Sequence, residues 1–158
     1  MPLDPIAFRI MQNLQSALKN ISVAGGYHHD IAALAVKLDP NHDVESLVGD
    51  ESLRPFIILE YGSQSFEYHP ASQIITKIPV SIHAVHDSDT SDDDSWMRTY
   101  LRLCADVEQA IAIDTTRGDL ATDTRILDIA VHRIDGREVW AETACEIRVY
   151  REFGAPNG

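Results

Sequence analysis

Residues 92–152 read DDDSWMRTYLRLCADVEQAIAIDTTRGDLATDTRILDIAVHRIDGREVWAETACEIRVYRE, and this stretch decides the fold. From about Ser95 to Ile113, Trp96, Tyr100, Leu103, Val107 and Ile111 recur at helical spacing, with Cys104 and Ala110 widening the stripe. The aspartates Asp92-Asp93-Asp94 just before this helix suit its positive dipole end. A polar crossing, Asp114 to Asp119, is followed by two alternating stretches joined at Asp135-Gly136, a tight-turn dipeptide. Alternation points Leu127, Ile129 and Val131 inward, opposed by Val139, Ala141, Cys145, Ile147 and Val149. It points Asp128, His132, Trp140, Glu142, Glu146, Arg148 and Tyr150 outward.

Upstream, Asp4-Pro5 reads as a helix start, a capping acceptor followed by a proline at the first helical position. Ile6, Ile10, Leu14, Leu18 and Ile21 form one apolar stripe that ends at Ala24-Gly25-Gly26. Asp30 to Leu38 fits both helix and strand patterns, and its short length after two glycines favours a strand. Residues 40–54 are polar and acidic and read as a long mobile loop, as do residues 87–94, with a flexible tail at 153–158. Phe56 to Tyr61 is a central-strand run, broken by Gly62-Ser63-Gln64-Ser65, after which Phe66-Glu67-Tyr68 either starts a hairpin return or crosses the surface. Ile74, Ile78, Val80, Ile82 and Ala84 share one face of a further strand, and Lys77, Ser81 and His83 take the other. Pro79 removes a ladder donor, which predicts an edge strand or a bulge. These elements imply one α+β domain over 1–158, a single twisted, mainly antiparallel sheet with two α-helices packed on one face.

Apolar residues at 44% suffice for a core, and no apolar run approaches the ~20 residues of a membrane helix. Asp4 and Pro5 stand where a signal peptide carries basic residues, so a cytoplasmic protein with no membrane partner is expected. The 25 acidic against 13 basic residues give a net charge of −12, which argues against a nucleic-acid-gripping surface. The same charge is compatible with lining a passage through which DNA slides. Cys104 and Cys145 fall on buried faces and read as free thiols.

Motifs for chemistry fail on spacing. Asp87 and Asp89 begin like a calcium loop, but the turn glycine falls at Asp92 and the closing glutamate at Arg98. His28-His29-Asp30 and His83-x-x-His86 place neighbours on opposite strand faces, which suits polar surface residues better than metal ligands. Gly62-Ser63-Gln64-Ser65-Phe66 lacks the second glycine of a nucleophile elbow. No catalytic, cofactor-binding or metal residues are therefore assigned. Trp140 and Tyr150 on a charged sheet face mark either a protein interface or the underside of a covering loop such as 40–54.

The order of elements, with Gly26-Tyr27 before Asp30-Ile31, Pro55 entering an apolar strand, Asp114 to Gly118 after the second helix and Ala121-Thr122-Asp123-Thr124 opening the last hairpin, resembles the tail-terminator and tail-completion proteins of long-tailed bacteriophages. The resemblance implies a structural, non-enzymatic subunit that assembles in the host cytoplasm and resides in the virion tail. Copies would join into a six-fold ring that caps the tail tube, stops its polymerisation and meets the head-neck connector, with genomic DNA as passing cargo. Trp140, Tyr150, Arg148, Glu142, Phe66 and Tyr68 are the candidate contacts between copies or with the tube protein. Asp87, Asp89, Asp92, Asp93 and Asp94 are candidates for the lumen or rim, or for a solubilising device that keeps monomers apart. The competing readings are a neck or head-completion ring protein and, from another class, a small ligand-binding or enzymatic domain.

Overall fold

The computed structural model describes residues 4–37, 39, 42–70, 72–88, 94–133 and 136–152. Helix α1 (Ile6–Lys19) leads to strand β1 (Ala33–Val36), helix α2 (Val44–Gly49) and strands β2 (Phe56–Tyr61), β3 (Ser65–His69) and β4 (Gln73–Asp87). Helix α3 (Ser95–Ile113) and strands β5 (Asp123–Arg133) and β6 (Glu138–Glu152) follow. The six strands form one mixed sheet in the order β1-β2-β4-β6-β5, with β3 pairing to β4 beyond the end of β2. Among the described residues only β1 and β2 pair in parallel. The expected α+β sheet is therefore present. Among the described residues no helix is long and apolar enough to cross a membrane.

Strands β4 and β6 pair along their full 15 residues, from Gln73↔Glu152 to Asp87↔Glu138. On one side of this spine, α1 and α3 bury Ile10, Leu14, Leu18, Leu103, Val107 and Ile111 against Ile57, Leu59, Ile78, Ile82, Ala141 and Ile147. The apolar stripes read from the sequence thus meet across one core. Burying a side chain of this type contributes roughly 1.5–3 kcal/mol.

A second, smaller cluster lies on the opposite face. Leu47 of α2 packs there with Ala35, Phe56, Ile58 and Val85, flanked by Val44, Val48 and Trp140. Within the expected loop over 40–54, Val44–Gly49 instead form a helix, capped by Asp43, whose carboxylate accepts from Ser46 N at 3.0 Å, and residues 40 and 41 lie outside the described residues. The physical reason is topological. A parallel β1–β2 pair needs a crossover, and a crossover lying on a sheet buries its own apolar stripe. The two-helix layer expected on one face accordingly gains a third, short helix on the other.

Three more expectations change. Helix α1 begins at Ile6 with Pro5 in the cap position and no side-chain cap, so Asp4 does not cap it. Leu127 does not point inward: the β5–β6 register shifts between Ile126 and Asp128, and this bulge turns Leu127 out to 59% exposure. Downstream of the bulge Ile129 packs on the core opposite Thr143, whereas Val131, also expected inward, is 40% exposed.

Pro79 is the third. Its strand is central, not an edge. The Pro79 carbonyl accepts from Gly62 N at 2.8 Å, so its missing donor faces the break between β2 and β3. There three residues, 62–64, oppose two, 78 and 79, because Tyr61 pairs Val80 and Ser65 pairs Lys77. The irregularity a proline requires therefore sits on the neighbouring strands. Gly62 belongs to the same arrangement, since a Cβ there would lie 2.6 Å from Pro79 Cγ.

Gly62→Ala is therefore expected to cost about 1–3 kcal/mol in urea denaturation, the range for overpacking. Gly49→Ala, where an added Cβ meets nothing within 4 Å, should leave stability unchanged or raise it by up to about 1 kcal/mol. Equal midpoints for the two variants would refute the role given to the Gly62–Pro79 contact.

Candidate functional site

The candidate contact residues fall on both faces of the β4–β6 spine. Trp140, Glu142, Arg148 and Tyr150 alternate along β6 on the α2 side, whereas Phe66 and Tyr68 of β3 share the α1 side with Thr76 and Ile74. One flat interface does not collect all six. Trp140 is half-buried beside α2, and its indole N–H donates to His83 Nδ1 at 3.0 Å, so the covering-segment reading describes it. Glu142 meets His132 Nε2 at 3.1 Å, and Arg148 Nε donates to Glu146 at 2.6 Å. That glutamate holds Arg148 above its ordinary pKa. Tyr150, Phe66 and Tyr68 remain exposed.

All five residues of β3 are exposed, and its outer edge is unpaired among the described residues. Together with the distal halves of β4 and β6 it forms an arm that runs past the main core. Between the base of this arm and the start of α1 lies an open cleft of about 320 Å³. Phe66, Ile78, Val149 and Ile6 supply apolar walls, and Arg151 and Thr76 supply polar ones.

At the other end of the spine, Arg54 bridges two carboxylates. Its Nη1 donates to Asp87 and its Nη2 to Glu138 at 2.6 Å, with the guanidinium side chain 8% exposed. Asp87 and Glu138 are cross-strand partners, so without Arg54 they would repel. Of the acidic candidates, Asp87 is thus committed to an ion pair, and Asp94 is exposed without a side-chain cap bond to α3. Asp89, Asp92 and Asp93, like Asp135 and the tail 153–158, lie outside the described residues.

The histidines group differently from their sequence spacing. His29 and His86 meet edge to face at 5.2 Å between ring centroids. Asp106, buried in α3, accepts from His28 N at 2.7 Å, from His29 N at 3.0 Å, and lies 2.7 Å from His29 Nδ1. The carboxylate anchors the 27–31 loop to α3. An acid placed within the buried stripe of a helix was the available signal, and it was not read. Among the described residues no group of three or more histidine, cysteine or acidic side chains is arranged to hold a metal.

Beneath the end of α3, Arg117 is fully buried and donates Nη2 to Ile111 O at 2.6 Å. Burial lowers its pKa, and Asp114 opposes that effect. Asp114 in turn accepts from Thr116 N and Gly118 N, which fixes a turn where Arg117, Gly118 and Asp119 all take positive φ. Cys145 lies against this group, its thiol pushed up from 9.0 to about 12 by burial, and Cys104 is raised by the same cause. Both are free and buried, as expected.

Two outcomes follow from this chemistry. Arg54→Met should cost about 3 kcal/mol, because it leaves two facing carboxylates in a partly buried site. Its tryptophan emission should shift to the red as α2 loosens over Trp140, and an unchanged urea midpoint would count against the clamp. The thiols should resist a disulfide reagent at about pH 8 in the folded protein and react at once in denaturant. Because folding raises the Cys145 pKa, the neutral thiol's contribution to stability is full below pH 9.0 and is lost as pH rises through about 12. Rapid labelling of the native protein would contradict this burial. No protein-family model matches the chain, and no curated protein matches it either.

Proposed function

We propose that the protein is a structural subunit of a long-tailed bacteriophage. In this reading copies assemble into a six-fold ring on the end of the tail tube, stop its polymerisation and present a surface to the head-neck connector. The observation that carries the reading is the β3–β4–β6 arm. It is a strand ribbon whose outer edge is open among the described residues and which exposes Phe66 and Tyr68. A strand edge of this kind offers main-chain donors and acceptors to another chain. Element order supports the same assignment through the resemblance described above. The net charge of −12 supports a ring through which DNA passes without being held.

The test is to mix the purified protein with polymerising tail-tube protein from the same phage and to measure tube lengths by negative-stain electron microscopy. Short closed tubes bearing an extra ring at one end are the expected outcome. Tubes of unaltered length with no added density would overturn the terminator assignment.

A further inference from the structure

Two surface features of this molecule are complementary. The first is the cleft between α1 and the arm. Lys37, Arg54, Lys77, Arg125 and Arg148 are each ion-paired with a carboxylate. Arg151 instead stacks its guanidinium carbon 5.9 Å from the Phe66 ring centroid. Its Nε is closed off from solvent and has no hydrogen-bond partner among the described residues. The guanidinium thus lines the cleft with no carboxylate paired to it among the described residues, and an anionic group entering the cleft would gain a charge-assisted contact there. The first turn of α1, which has no acidic residue and no side-chain cap, borders the same opening and adds positive potential. At about 320 Å³ the cleft suits an apolar side chain accompanied by a carboxylate.

The second feature is the bulge on β5. Leu127 has no partner on β6 and stands 59% exposed, next to the exposed carboxylate of Asp128. Strand β5 pairs only with β6, so its outer edge is open among the described residues. A bulge on an edge strand re-aims a side chain out of the ladder. Here it presents a leucine and an acid side by side, the apolar and anionic pair that the cleft lacks.

We infer that the cleft at Phe66 and Arg151 receives the Leu127–Asp128 bulge of a second copy of this chain. The inference rests on the ring reading and names its contact. The two surfaces cannot meet within one molecule. Three strand spacings and about four residues of rise separate Phe66 from Leu127, which amounts to roughly 20 Å. Cleft and bulge lie toward opposite edges of the sheet, so each copy has one donor surface and one acceptor surface. A head-to-tail contact of this type generates closed rings when the rotation per copy closes. Leu127 fills the apolar part against Phe66 and Val149, and the Asp128 carboxylate accepts from the Arg151 guanidinium.

Charge exchange tests the contact. Sedimentation velocity over a wide concentration range, alone and with tail tubes, would compare wild type, Arg151→Glu, Asp128→Arg and the double variant. Each single reversal should weaken association roughly tenfold or more, and the double variant should regain most of it. Thermal melts establish that each variant folds. As a second measurement, Phe66→Cys protein mixed with Leu127→Cys protein should form an intermolecular disulfide that neither forms alone, the native cysteines being buried. Single reversals without effect, no recovery in the double variant, or no cross-link would overturn the contact. If Arg151→Glu still forms rings and caps tubes, the ring reading stands and this site falls. Loss of tube binding with unchanged self-association would give the cleft to the tube protein and likewise overturn the inference. A wild type that neither associates nor caps would end both.

Discussion

The antiparallel ladder between β4 and β6 is the interaction on which the rest depends. Fifteen paired residues make a ribbon of about 50 Å, whereas the 19 residues of α3 span only about 28 Å. The helices therefore cover one part of the ribbon and leave the other as an arm. The covered part has a packed core on one face and a smaller one under α2 on the other. The arm has only β3 beside it, which is why its aromatic side chains stand in solvent. The same ladder fixes which residues face which side, so the candidate contact residues divide between two faces instead of forming one patch.

Polar groups hold the loops to this frame at three places. Arg54 ties the α2 crossover to the ends of β4 and β6. Asp106 ties the loop after α1 to α3. Asp114 and Arg117 close the turn between α3 and β5, one by accepting backbone donors and the other by donating to a helix-end carbonyl. Each charge is paired or hydrogen-bonded where it is buried, which is the condition for a buried charge to hold structure in place. Arg151 differs from Arg54 and Arg117 in stacking on the Phe66 ring instead of meeting a carboxylate or carbonyl among the described residues.

Much of the architecture was legible in the sequence because long periodic segments declare themselves. The α3 stripe and the alternation from Val139 to Ile147 needed only counting, and the helix bounds at Ser95 and Ile113 fell where the pattern placed them. Features set by a neighbour in space were not legible. Val44, Leu47 and Val48 make too short a stripe to announce a helix, and only the parallel β1–β2 pair explains why one forms. Pro79 argued correctly for an interrupted ladder, yet the interruption belongs to residues that precede it by about fifteen positions. The bulge at Leu127 has no glycine or proline to signal it, so the inward assignment failed there by a single step of register. Of the candidate site, the exposed aromatics of β3 were named in advance. The pairing of Phe66 with Arg151 was not, because it joins strands 85 residues apart in number.

The anchoring of the 27–31 loop by Asp106 also bears on how the chain is made. Residues 28 and 29 leave the ribosome long before the carboxylate that fixes them, and β4 precedes its ladder partner by a similar interval. Contacts of such high sequence separation form late and slow folding. During synthesis the first helix therefore carries an unburied apolar stripe until α3 has emerged, and the nascent chain depends on that delay ending before its exposed surface finds another.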